Sequence, residues 1–190
     1  MTRRGSYAKG IARREEILES ALDVIGRHGY QNASLKQIAE VVGVTPAALL
    51  HYFGTKEELF TAVLRKRDEH DGLAQEGPHE QSTQDRLLGA IRHNAEVPGL
   101  VELFSRLAVD AADPAHPAHE YFLERNAQLR ALVTAGFAAE TDRAPVLDPD
   151  TMARVVQAVA DGLQLQWMVD RDVDMAGIVE KVIEALAPRR

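Results

Sequence analysis

Two helix N-caps that stand eleven residues apart constrain this chain more than any other feature of its sequence. Ser34 is followed three residues later by Gln37, the pairing of a capping box, and the helix that it opens ends at Gly43. Thr45 precedes Pro46, a residue favoured at the first position of a helix. The spacing therefore predicts two short helices joined by a turn of about three or four residues.

This is the spacing of helix-turn-helix segments, in which the second helix lies in the major groove of DNA. Pro46 and Ala47 are small enough to let that helix approach the base edges. Other residues of the same segment offer hydrogen-bonding or apolar groups for contacts with DNA, namely Thr45, Leu50, His51 and Tyr52. The alternative is an ordinary corner between two helices of an enzyme or a bundle, and the spacing alone leaves it open.

Lys56 favours the DNA-binding interpretation. Thr55 and Glu58 form a second capping box, which opens a longer helix over about residues 56–71. A cation in the first turn of a helix is disfavoured by about 0.3–1 kcal/mol. A phosphate at the same helix end would be attracted both by the free backbone N–H groups and by the ammonium group. The other interpretation is a solvated lysine balanced by Glu57 and Glu58.

The rest of the chain predicts an all-α fold with about nine helices and no strand pair, because its apolar residues recur at helical spacing. The first helix is expected over 9–28 and the last two near 150–170 and 174–187. Polar segments containing Gly or Pro break the pattern at 72–81, 113–117 and 144–149. We expect a three-helix DNA-binding domain over 1–54, and a helical domain for ligand binding and dimerisation over 55–190.

The overall charge conceals an uneven distribution. The chain has a formal charge of -7 and a pI near 5.5, which would argue against a nucleic-acid partner. Residues 1–54, however, contain seven Lys and Arg against five Asp and Glu, and five of those basic residues lie in the first 14 positions. A basic segment thus leads into the helix-turn-helix, and the remainder of the chain carries the excess acid.

The composition also excludes several kinds of chemistry. With no cysteine, the chain has no disulfide, thiol nucleophile or Cys-ligated metal, which suits a reducing cytoplasm. No apolar run approaches the roughly 18 residues of a membrane span. No GxSxG, HExxH or phosphate-binding glycine loop is present, so we expect neither an enzyme nor a cofactor.

These residues resemble the tetracycline-repressor (TetR) family of bacterial regulators. The resemblance is strongest in "REEILESALDVIGRHGYQNAS" followed by "SLKQIAEVVGVTPAALLHYFGTKEELF", where Tyr52-Phe53, Lys56-Glu57 and Leu59 are specific to that family. Weaker similarity follows in "DPAHPAHEYF" and "DGLQLQWMVD".

The resemblance implies a set of DNA contacts, with Lys56 on a phosphate, two residues at the start of the first short helix, and the remainder forming the recognition surface of the second short helix. They are Ser34, Lys36, Thr45, Pro46, Ala47, Leu50, His51 and Tyr52. Most members of the family have tyrosine where this chain has Leu50, which can touch a thymine methyl group or pack inward. Ala47 replaces the usual glycine.

The resemblance also implies that the C-terminal helices dimerise and bind a small-molecule effector. Dimerisation has independent support, because the last two helices carry apolar residues on more than one side and a small-residue step at Ala158 and Gly162. The expected dimer interface consists of Val155, Ala158, Val159, Gly162, Leu165, Val169, Ile178 and Val182. The alternative is that helices 5–7 of the same protomer cover this surface.

Arg125 is the candidate for holding an effector, since it lies on the apolar stripe of its helix. An internal ion pair with Glu102 or Asp110 is the more common arrangement for such a residue. The candidate apolar walls are Phe104, Leu107, Phe122, Trp167 and Met168. His116 and His119 have a spacing that suits a metal, but Pro117 and the loop between them favour solvated side chains, so no metal is expected.

The sequence as a whole predicts a cytoplasmic, homodimeric repressor that a small-molecule effector releases from pseudo-palindromic double-stranded DNA, with no membrane partner. One alternative is a DNA-binding regulator with no effector pocket. The other is a helical enzyme or carrier whose helix corner only resembles a DNA-reading head.

Overall fold

The computed structural model describes residues 3–29, 33–71, 81–140 and 146–186. These residues form nine α-helices and no strand, which confirms the all-α prediction. The helices are α1 (Arg3–His28), α2 (Leu35–Val42), α3 (Pro46–Phe53), α4 (Lys56–Asp71), α5 (Thr83–Glu96), α6 (Pro98–Asp110), α7 (His119–Glu140), α8 (Pro149–Val169) and α9 (Met175–Leu186).

The predicted helix bounds hold within about two residues, with one exception. The first helix begins at Arg3, where the sequence predicted a basic segment leading into a helix at Lys9. No proline interrupts residues 3–8, so the helix continues through them. The predicted break at 113–117 is confirmed as a run of turns between α6 and α7. The break at 72–81 lies outside the described residues except for residue 81. Of the break at 144–149, residues 146–148 are described and are not helical, and α8 begins at Pro149.

The chain divides into two compact units. The first unit comprises Met1–His70 and Val97–His119, and the second comprises Asp71–Glu96 and Glu120–Arg190. The predicted functional boundary after residue 54 stays a prediction.

In the first unit, α1 packs against both α2 and α6, and α2 packs against α3. The apolar stripe predicted for α1 is its buried face, with Ile17, Ala21 and Ile25 fully buried. In the second unit, α9 packs against α5 and α8. The core of the second unit includes Leu88, Met152, Val156, Val179 and Ile183. No helix among the described residues is long and apolar enough to cross a membrane.

A cluster of salt bridges links α4 to α1 within the first unit. Lys66 Nζ lies 3.0 Å from Glu15 Oε2 and 3.3 Å from Glu19 Oε1, and 3.6 Å from Glu69 Oε2 on its own helix. The hydrogen bond to Glu15 raises the pKa of Lys66 to about 12; partial burial opposes this rise and Glu19 adds to it. His70 Nε2 also contacts Glu19, at 3.2 Å.

This cluster predicts a pH-dependent contribution to stability. The folded-state pKa of Lys66 lies above its usual value of 10.5, so its contribution is complete below pH 10.5 and is lost as the pH rises through about 12. We expect Lys66→Met to lower the free energy of unfolding by about 1 kcal/mol at pH 8, and by much less at pH 12. Urea unfolding at both pH values measures this, with Lys181→Met as an exposed-lysine control; a decrease that is the same at both pH values would contradict it.

Candidate nucleic-acid interface

The caps that the sequence indicates form as predicted. Ser34 Oγ accepts from the Gln37 backbone N–H at 3.2 Å, and Gln37 Oε1 accepts from the Ser34 N–H at 2.9 Å. Thr45 Oγ1 accepts from the Ala48 N–H at 3.1 Å, with Pro46 in the first turn of α3. Both arms of the capping box between Thr55 and Glu58 are present, at 2.7 and 3.0 Å. Local hydrogen bonds therefore fix the start of each of these helices.

The turn between α2 and α3 depends on a glycine and on a distant arginine. Gly43 has φ 72°, a left-handed conformation that glycine adopts at little cost, and its N–H reaches back to the Glu40 carbonyl. Arg13 Nη2 donates to the Val42 carbonyl oxygen at 2.7 Å. The arginine thereby satisfies a carbonyl that the end of α2 leaves without a helical partner, and it ties the turn to α1.

Helix α3 has a buried face and an exposed face. Leu49 and Phe53 are buried, and the Arg14 guanidinium lies 4.7 Å from the centre of the Phe53 ring. The opposite face is exposed and presents four predicted contact residues, namely Pro46, Ala47, His51 and Tyr52. The structure therefore leaves four of the predicted recognition residues of α3 exposed.

The remaining predicted contacts flank that face. Thr45 is exposed at the start of α3, and Lys36 is exposed in the first turn of α2. Ser34 is exposed, but its hydroxyl already accepts one hydrogen bond and donates another to Gln37 Oε1 at 3.0 Å. Leu50 is half-buried, a position that accords with both roles considered for it, so its role stays a prediction.

Lys56 lies half-buried in the first turn of α4, with its Nζ 5.1 Å from the centre of the Phe60 ring. One of the two acidic neighbours that were considered as balancing charges, Glu58, is engaged by the Thr55 backbone N–H. The positive end of the helix and the lysine thus lie together at one helix terminus, beside the end of α3.

The predicted effector residues are divided between the two units. Phe104 and Leu107 are buried in the first unit, where the Arg67 guanidinium lies 5.2 Å from the Phe104 ring. Phe122 and Trp167 are buried in the second unit, where they make ring contacts with Tyr121 and Arg171. Met168, in the second unit, is half-buried.

Arg125 alone among the six lines a cavity of the second unit. This cavity lies between α5, α7 and α8 and is open to solvent; the space between its walls and in its open mouth together is about 470 Å³. Its other described walls come from residues that the sequence did not single out, among them Asn94, Gln157 and Gln164. Polar residues at helical spacing are common on solvated faces, so the sequence carried no signal that these would be turned inward.

The predicted dimer residues lie together on α8 and α9, and none of the eight is buried in the protomer. Leu165 is 53% exposed, Val169 91% and Ile178 37%. A Cβ added at Gly162 would meet no described atom within 4 Å, so this part of α8 is open. The described part of the protomer therefore leaves half of these residues exposed and covers the other half only in part.

The two histidines considered for a metal are engaged with the backbone instead. His116 Nδ1 accepts from the Ala118 N–H at 3.1 Å, and His119 Nδ1 lies 2.8 Å from the Ala111 carbonyl oxygen. Within the described ranges, no three His, Cys, Asp or Glu side chains lie close enough together to hold a metal ion.

Comparison with known proteins agrees with the geometry of the first unit. A family model described as "Bacterial regulatory proteins, tetR family" matches residues 17–63, which span the helix-turn-helix and the start of α4. The transcriptional repressor AcnR of Corynebacterium efficiens is 40% identical over 58 residues, which cover 30% of this chain and 31% of AcnR. The transcriptional regulator RutR of Escherichia coli K12 is 46% identical over 55 residues, which cover 29% of this chain and 26% of RutR. The similarity thus spans less than a third of the length of these relatives.

The fold is shared over a greater length. A crystal structure of a TetR-family transcriptional regulator from Streptomyces coelicolor matches 92% of this chain and 78% of its own, with a TM-score of 0.67 and 19% identity. At that identity the likeness extends to the arrangement of the helices and no further.

Proposed function

We propose that this chain is a member of the TetR family of bacterial regulatory proteins and acts as a sequence-specific transcriptional regulator. In its most specific form, the proposal is a homodimeric repressor that a small-molecule effector releases from its operator. The observation that carries the proposal is the exposed face of α3, held in place by the Gly43 turn and the buried Leu49 and Phe53. Such a regulator would act in the cytoplasm, where it meets the chromosome.

We assign α3 to the major groove. Pro46 and Ala47 add little bulk at the start of the helix, so its backbone can come close to the base edges. His51 and Tyr52 supply hydrogen-bonding groups one turn further along, and Lys36 and Lys56 provide charge for the flanking phosphates. Base contacts would then come from α3. The two lysines would fix the position of the protein along the duplex through their phosphate contacts.

The exposed apolar surface of α8 and α9 supports the homodimer. Valine, leucine and isoleucine side chains left open on two neighbouring helices are removed from water when the same surface of a second copy covers them. The open backbone at Gly162 allows close approach of a partner helix. Two DNA-binding domains related by a twofold axis would recognise a pseudo-palindromic operator. Its half-sites would lie about 34–36 Å apart if one helical turn of DNA separates them.

The cavity of the second unit supports an effector. It is concave, mostly apolar and provided with a few polar groups, as small-molecule sites usually are. Release requires only that the effector bind the non-DNA-binding conformation better, and a difference of about 1.4 kcal/mol weakens operator binding tenfold.

A double substitution of the exposed His51 and the half-buried Lys56 tests the DNA-binding surface. We expect His51→Ala with Lys56→Ala to weaken binding to an operator selected from random duplex DNA by about a hundredfold, because each protomer then lacks one group that binds a base and one that binds a phosphate. The logarithmic salt slope should fall by about 0.9 for each phosphate that the protein no longer neutralises, hence by about 1.8 for a dimer. Fluorescence anisotropy at several salt concentrations measures both quantities.

The matched control is His93→Ala with Lys181→Ala, which removes the same residue types from the second unit. It should leave the affinity and the slope unchanged. If both double variants bind the operator as the wild type does, α3 is not the reading helix and the proposed function fails.

A further inference from the structure

Gln164, in the second unit, has a buried amide oxygen without a hydrogen-bond donor among the described residues. It lies on α8 and lines the cavity, and it is only 7% exposed. Its Oε1 is buried and accepts no hydrogen bond from any residue that the structure describes. Asn94 Oδ1, on the α5 wall of the same cavity, is likewise buried and unmatched among those residues. Buried amide oxygens normally have a donor, because their hydrogen bonds to water are otherwise given up without compensation.

The cavity is apolar at one end and polar at the other. Thr83 lies against Gly136, so the start of α5 meets the end of α7. Asn126 near the start of α7 accepts a hydrogen bond from Gln157 of α8 at 2.6 Å. These antiparallel pairings bring Leu87, Val133 and Ala153 to one end, and Asn94, Arg125, Asp161 and Gln164 to the other. A ligand that fills the cavity would thus have an apolar tail and a polar head.

The charges at the polar end disfavour an ionised head. Arg125 and Asp161 both line it and carry opposite charges, so a carboxylate head meets Asp161 as well as Arg125, and an ammonium head meets Arg125 as well as Asp161. The two amide oxygens require hydrogen-bond donors, which a carboxylate or an ester does not have. An uncharged head that bears N–H or O–H groups satisfies both conditions.

We propose that this cavity binds an uncharged amphipathic small molecule whose head donates hydrogen bonds to Gln164 Oε1 and Asn94 Oδ1, a primary carboxamide on a short aliphatic tail being the simplest example. The tail lies against Leu87, Val133 and Ala153, and the head lies among the polar residues at the opposite end. This assignment names the class of effector and in that respect rests on the proposed function.

Three probes with the same aliphatic chain separate the requirements for the head. Hexanamide carries the donors, methyl pentyl ketone replaces its NH₂ by CH₃ in the same shape, and hexanoate replaces it by a charged oxygen. We expect hexanamide to bind the full-length protein, free of DNA, about tenfold more tightly than either of the other two. Isothermal titration calorimetry or chemical-shift titration measures this. Equal binding of amide and ketone, stronger binding of hexanoate, or no binding of hexanamide would overturn the proposal.

A pair of glutamine variants tests the contribution of one of the two acceptors. Gln164→Leu should show a clearly smaller preference for hexanamide over the ketone than the wild type, because one of the two buried acceptors is gone and Asn94 Oδ1 remains. Gln157→Leu is the matched control, since this glutamine lies on the same helix and the same cavity wall but is already bonded to Asn126. It should keep the preference for the amide. If Gln164→Leu fails to fold, Gln164→Met replaces it, and a preference as large as that of the wild type in the folded variant overturns the assignment to Gln164.

Operator release is measured separately, so that the two proposals can fail independently. If hexanamide binds with the expected preference but does not lower operator affinity, the ligand class is supported and the effector role is contradicted. If the wild-type protein binds no DNA, the proposed function fails while the calorimetric result still decides the chemistry of the cavity.

Discussion

Leu165→Glu is expected to convert the protein into a folded monomer with little remaining operator affinity. Leu165 is 53% exposed in the protomer, so glutamate at this position remains solvated and the fold should tolerate it. In a dimer built on α8 and α9 the same position is covered, and two carboxylates would be buried around the twofold axis. A monomer contacts one half-site only, so the affinity should fall by about a hundredfold or more. Analytical ultracentrifugation and operator titration measure the two effects.

Leu123→Glu is a closely matched control. Leu123 on α7 is also 53% exposed, and the substitution introduces the same charge into the same unit. We expect this variant to stay dimeric and to bind the operator as the wild type does. A dimeric Leu165→Glu protein with unchanged affinity would show that the α8 surface has another role, and a monomeric Leu123→Glu protein would transfer the interface to α7.

The features that could be predicted from the sequence are those that neighbouring residues determine. A capping box closes over three residues, and a Pro at the first helical position acts within a single turn, so the starts of α2, α3 and α4 could be predicted from Ser34, Thr45 and Thr55. The exposed face of α3 followed from the same local signals, because fixing the start of α3 also fixes which of its residues face outward. The apolar excess on α8 and α9 was predictable for a similar reason, since helical periodicity shows when a helix has more than one apolar side.

The features that could not be predicted depend on contacts between distant segments. Arg13 bonds to the Val42 carbonyl, 29 positions along the chain, and its sequence context indicates only a basic residue on an amphipathic helix. The cavity walls could not be predicted for the same reason: Arg125 was an unusual cation on an apolar stripe and could be noticed, whereas Asn94 and Gln164 become informative only once three helices face one another. Phe104 and Leu107 have the composition of a pocket wall but are buried in the other unit.

Among the described glycines, Gly99 is the one at which we expect replacement by alanine to destabilise the protein most. Gly99 lies in the first turn of α6, where a Cβ would overlap the Ile25 carbonyl oxygen and come within 2.9 Å of the Gly29 Cα atom. Both of those atoms belong to the backbone at the end of α1, where the Gly29 N–H bonds to the Ile25 carbonyl at 2.9 Å and Gly29 has φ 77°. No side-chain rotation can relieve the overlap, so α1 and α6 must separate or the end of α1 must unwind.

We expect the substitution to cost about 3 kcal/mol of unfolding free energy and to lower the melting temperature by roughly 10 °C. Gly26→Ala is the control, because Gly26 lies one position beyond Ile25 in the same helix and a Cβ there meets no described atom within 4 Å. That change should instead stabilise the protein by about 0.5–1 kcal/mol, as alanine does in a helix interior. Denaturant unfolding of both variants measures the free energy of unfolding. The comparison distinguishes the steric effect of a methyl group between α6 and α1 from the effect of alanine on the helix propensity of α1. If Gly99→Ala is as stable as the wild type, α6 does not pack on the end of α1 and the first unit is assembled differently.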